Sequence, residues 1–174
     1  MKRLTFALPA LAAVVVLSGC AAQEQSGVTL AQSKSAAQLL RIEAADRVPP
    51  SAIDTTSEAT DHSLACKSED EDPDGLYRSW ESSILITLDR DSAWRTGLIG
   101  ETLAQTFIDD GWFVSGAKDG QDRTVVTKPG SVATITFVVD EGDESGAGAT
   151  ILIDSTGPCV LTGGPESAEV AALD

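Results

Sequence analysis

Histidine, methionine and tyrosine each occur once in this 174-residue chain, and asparagine does not occur at all. Without asparagine there is no N-glycosylation sequon. With one histidine, His62, and three scattered cysteines there is no zinc-type ligand spacing. No Gly-x-Ser-x-Gly, His-Glu-x-x-His or phosphate-loop pattern is present, so the common nucleophile, metalloprotease and nucleotide signatures are missing. The one Ser-x-x-Lys, from Ser115 to Lys118, has no Ser-Asp-Asn or Lys-Thr-Gly companion and reads as chance. Positive charge is scarce too: 12 basic residues face 27 acidic ones, for a formal charge of −15. Such a chain is repelled by nucleic acid and by anionic lipid headgroups, which argues against both as direct ligands. The longest apolar run, residues 4–17, is about 14 residues, short of the roughly 20 that a membrane-spanning helix needs.

What is present begins with that run. Lys2 and Arg3 precede it, and Leu17-Ser18-Gly19-Cys20 closes it. The segment resembles the lipobox leader of bacterial lipoproteins. The resemblance implies cleavage before Cys20, removal of residues 1–19, thioether diacylation of Cys20 with palmitate-type chains and, in many species, acylation of the new amino group. Two or more acyl chains hold a protein on a membrane durably, whereas one is marginal. Losing Lys2 and Arg3 takes the formal charge from −15 to −17, so the lipid must anchor without a basic patch. The expected location is the extracytoplasmic face of the cell membrane.

With Cys20 lipidated, Cys66 and Cys159 remain. Outside the cytoplasm an isolated pair most often forms a disulfide. In the loop-entropy description, closing about 94 residues stabilises the fold by roughly 4–5 kcal/mol.

The chain then divides into a small, polar tether (20–28), an N-terminal helix (29–48), a linker or edge strand (49–62), a disulfide-bracketed domain (63–162) and a disordered tail (163–174). Thr29 and Gln32 fit a capping box, and Val48-Pro49-Pro50 stops the helix, because a residue before proline is pushed from the α region. Trp80, Ser82, Ile84, Ile86 and Leu88 alternate with more polar neighbours, the pattern of a half-buried strand. Asp89-Arg90-Asp91-Ser92 offers a turn and a helix N-cap. Over 93–110, Ile99, Leu103 and Phe107 recur every four residues with Ala104 and Ile108 beside them, and Gly111 sits where a C′ glycine belongs. Gly97 and Gly100 weaken that helix unless they allow close approach to a sheet. Strands are expected over 112–117, 123–128, 132–139 and 149–153. Ala133, Ile135, Phe137 and Val139 form an apolar face opposed by Thr134 and Thr136, and Asp119-Gly120 and Pro129-Gly130 supply turns. The predicted class is α+β: one amphipathic helix on an antiparallel sheet of four to five strands (β-α-β-β-β-β), with an N-terminal helix and one disulfide.

Cys20, the helix ending at Val48-Pro49-Pro50, Cys66, the lead-in Asp74-Gly75-Leu76-Tyr77-Arg78-Ser79-Trp80 and Gly157-Pro158-Cys159-Val160 together make the chain similar to small surface lipoproteins of actinobacteria. That family resemblance implies a surface lipoprotein of undefined role and no catalytic residue.

Asp70-Glu71-Asp72-Pro73-Asp74-Gly75, with Glu81 beyond, satisfies the spacing of a calcium loop. There Asp70, Asp72 and Asp74 would aim carboxylates at one ion and Glu81 would close the site with two oxygens. Against this, residues 76–88 read as strand where an exiting helix belongs, Pro73 stiffens the loop and Arg78 places a cation at position 9. Trp80, Trp94 and Trp112 with Tyr77 could stack sugars, but their places beside core faces favour packing. The primary expectation is a lipid-anchored, non-catalytic binding or accessory domain that meets an envelope partner or small ligand without a cofactor. A calcium-dependent binding module is second, and a small envelope hydrolase third.

Overall fold

Thr29 begins the first regular element in a computed structural model that describes residues 27–90, 96–117, 123–128, 133–140 and 149–173. Its side chain accepts from the Gln32 N–H and Gln32 reaches back to the Thr29 N–H, closing the capping box of helix α1 (Leu30–Asp46). Beyond Val48, a short 3-10 turn (Pro50–Ala52) leads into β1 (Ile53–Thr56) and β2 (Thr60–Ala65). The segment expected as linker or edge strand is thus strand for much of its length. It is followed by β3 (Tyr77–Leu88), α2 (Thr96–Asp109), β4 (Phe113–Ala117), β5 (Arg123–Thr127), β6 (Thr134–Asp140), β7 (Thr150–Thr156), β8 (Val160–Leu161) and α3 (Ala168–Ala171).

The described residues form one eight-stranded antiparallel sheet and three helices. The α+β class and the antiparallel sheet match expectation; four to five strands was an undercount. Its main path runs β1-β3-β7-β6-β5-β4. β3, at 12 residues, is the spine: β2 pairs with its first half and β1 with its last residues along one edge, while β8 and β7 do the same along the other. β1, β2 and β8 have little apolar alternation of their own. They are strands because β3 offers them an edge.

Alternation decides the two faces. Trp80, Ile86, Leu88, Val126, Ile135, Phe137, Ile151 and Ile153 are buried beneath α1 and α2. From α2 come Ile99, Leu103 and Phe107, all fully buried, whereas Ile108 lies at the rim. Phe107 meets Trp112 edge to face at 5.2 Å between ring centres and Phe137 at 5.8 Å. Gly100 fits the close-approach expectation, since a Cβ there would stand 3.1 Å from Val139 Cγ2. Gly111, at φ +86°, ends α2: its N–H donates to the Ile108 carbonyl at 2.9 Å and the Trp112 N–H to that of Phe107 at 3.0 Å. Asp91 and Ser92 and the turns Asp119-Gly120 and Pro129-Gly130 lie outside the described residues.

α1 packs on the same face as α2. Leu30, Ala37 and Ala44 are fully buried, and Arg47 near its end joins the two helices, with Asp110 at 2.6 Å and its guanidinium 3.7 Å above the Phe107 ring. The disordered tail expected over 163–174 is corrected for residues 163–173. Ser167 caps α3, and Val170, 3% exposed, joins Leu30, Ala37, Trp80 and Val160 in a second small core. One buried valine was too short an apolar signal to read within an acidic, alanine-rich tail.

Candidate functional site

Cys66 and Cys159 are joined, with 5.9 Å between their Cα atoms. Cys66 follows β2 and Cys159 precedes β8, so the bridge ties together the strands on the two edges of β3. Cys20 lies outside the described residues.

The acidic stretch folds as a tight turn that uses two of its carboxylates, Glu71 and Asp72, internally. Glu71 accepts from the Ser68 hydroxyl at 2.9 Å and lies near the Ser68 N–H, and these hydrogen bonds hold its carboxyl below the usual range. Asp72 is turned inward, 8% exposed, and accepts from the Tyr77 N–H at 2.6 Å. Gly75 makes the turn at φ +61°. β3 then starts at Tyr77 and carries Glu81 about 13 Å onward at the rise of an extended strand. There Glu81 lies opposite His62 of β2, 3.5 Å from its Nε2. Asp70, Asp72, Asp74 and Glu81 are therefore not brought together, and among the described residues no three His, Cys, Asp or Glu side chains gather as ligands. A helix after Gly75 would have turned the last carboxylate back towards the first three; a strand does not.

Among the described residues the aromatic platform does not assemble either. Trp80 and Trp112 are core residues, and Tyr77 lies under the Lys67 ammonium, 3.2 Å from its ring centre. Trp94 is outside the described residues. The Trp80 indole N–H donates to Asp61 at 3.2 Å. Partial burial raises the Asp61 pKa, but hydrogen bonding from the nearby Ser82, Trp80 and Gln38 and the charge of Arg41 outweigh it, so the carboxyl lies below its ordinary value.

The other face of the sheet bears no helix among the described residues. Register places its side chains in cross-strand rows. One row is Leu85, Leu152 and Val138, and the next is Thr60, Ser83, Asp154 and Thr136. A third is His62, Glu81, Thr156, Thr134, Thr127 and Phe113, and Thr55, Thr87, Thr150 and Asp140 run along the remaining side. Thr60 and Ser83 share a hydroxyl hydrogen bond of 2.6 Å. Exposure is uneven: Leu85 is 39% exposed and Phe113 49%, whereas Ser83 and Thr136 in the middle of the face are buried.

No protein-family model, curated protein or solved structure matches the chain. The residues themselves carry the functional reading.

Chemically, this face offers hydroxyl donors and acceptors, carboxylates and a short aliphatic row, the kinds of group that protein contacts use. Its signal was in the sequence. Ser83, Leu85 and Thr87 alternate with the apolar positions of β3, as Thr150, Leu152, Asp154 and Thr156 do in β7. The sequence reading followed only Thr134 and Thr136 this far, because cross-strand rows exist only once register is known.

Proposed function

We propose that this protein is a lipid-anchored, non-catalytic binding or accessory domain on the extracytoplasmic face of the cell membrane, similar in kind to small actinobacterial surface lipoproteins. Cys20 carries the lipid, and the helix-free sheet face meets an envelope partner. The observation that carries this reading is the Cys66–Cys159 bridge, a bond that persists outside the reducing cytoplasm, in a chain whose third cysteine closes a lipobox-like leader. The formal charge of −17 after loss of residues 1–19 favours a partner surface that bears cationic groups and disfavours nucleic acid. No cofactor enters the scheme.

The test is fractionation of cells expressing the full chain and its Cys20→Ser variant. The parent protein is expected in the membrane fraction, extractable with detergent, and the variant in the soluble or secreted fraction. Identical partitioning of the two would refute lipid anchoring.

A further inference from the structure

The described chain starts at Gly27, and the structures around that point gather at one end of the sheet. α1 begins there, fastened by three contacts. The Leu30 N–H donates to Glu169 at 3.0 Å, Lys34 reaches the Leu173 carbonyl, and Leu30 packs with Trp80, Val160 and Val170. The disulfide, the turn at 67–76 and β8 occupy the same end, because all three border the first residues of β3. α1 runs in the same direction as β3: Ser33 contacts Trp80 and Pro158, whereas Ala44 and Val48 belong to the core that holds Leu88. Its 17 residues therefore separate the two ends by about 25 Å. At the far end the Asp89 N–H donates to the Ala52 carbonyl, with Ser51 exposed beside it.

On the reading that Cys20 carries the lipid, we infer that the domain stands on its disulfide end, with the strands of β3 and β7 rising away from the bilayer and the helix-free sheet face turned sideways. The seven residues 20–26 can reach at most about 25 Å, which keeps Gly27 within that distance of the lipid surface. That end does not sink into the headgroups. Glu69, Asp70, Glu71, Asp74, Glu166 and Glu169 are exposed there, against Lys34, Lys67 and Arg78, and Lys34 is already engaged. Anionic lipid repels such a surface over roughly a Debye length, about 10 Å at 0.1 M salt. The partner is consequently met from the side, along the length of the strands, rather than between the domain and the membrane.

The experiment uses the full chain, processed and lipidated, reconstituted in phosphatidylcholine vesicles that contain an energy-acceptor lipid. A donor dye is attached through Ala31→Cys in one preparation and Ser51→Cys in another, both exposed sites, with the native disulfide closed. Energy transfer is expected to be about twofold stronger from position 31, because α1 places position 51 about 25 Å farther along the domain from the anchored end. Equal transfer, or stronger transfer from position 51, overturns the orientation while leaving anchoring intact. Failure of either protein to float with the vesicles overturns the anchoring itself, and the two failures are read separately.

Discussion

Gly157 shows how tightly single residues are fitted. The chain leaves the edge of β3 between β7 and β8, and α1 fills the gap: the Trp80 N–H donates to Ser33 Oγ at 3.1 Å, and that hydroxyl donates to the Pro158 carbonyl at 2.7 Å. A Cβ on Gly157 would overlap the Ser33 carbonyl. Gly157→Ala is therefore expected to destabilise by about 1–3 kcal/mol, the usual range for an overpacked site, read as a lower urea midpoint with unchanged slope. An unchanged midpoint would mean that this helix and turn are not in contact. Asp61 makes a different prediction. Its folded pKa lies below the ordinary 3.8, so its stabilisation is present above that value and fades as pH falls through the folded pKa. The parent protein should lead Asp61→Asn in urea midpoint at pH 7, with the lead shrinking below about pH 4. A lead independent of pH would contradict the assignment.

At the level of elements, α3 is the most informative test. Val170→Ala removes buried volume from the small core shared with Leu30 and Trp80 and is expected to cost about 1–3 kcal/mol; a disordered tail would show no change. The elements legible in advance were those with strong local periodicity. Ile99, Leu103 and Phe107 mark one helical stripe, and the alternation from Trp80 to Leu88 and from Ala133 to Val139 marks two half-buried strands. Thr29 with Gln32 and Gly111 mark helix ends through cap chemistry that is local by nature. β2 was less legible because Thr60-Asp61-His62-Ser63-Leu64-Ala65 has no apolar face, and its pairing with Arg78 to Ser83 is a long-range event. The insertion of β7 between β3 and β6 is likewise invisible without register. The calcium pattern failed for the complementary reason: spacing along the chain matched, but a strand after Gly75 carries Glu81 away from its companions.

At the level of the whole molecule, one face of the sheet is sealed by α1 and α2, the other bears no helix among the described residues, and Cys66–Cys159 clamps the end where α1 begins. The 93-residue separation of the bridge confines the unfolded chain, so a Cys66→Ser/Cys159→Ser double variant should lose about 2–5 kcal/mol of stability while keeping the sheet's far-ultraviolet circular dichroism signal under native conditions. No loss of stability would mean that the bridge is incidental to the fold. Intact-mass spectrometry of the protein extracted from membranes, without reduction, tests the central claim most directly. The account expects a polypeptide that begins at Cys20, carries acyl chains, and weighs two hydrogens less than its fully reduced form. An uncut, unacylated chain beginning at Met1, or one whose mass does not rise on reduction, would contradict it.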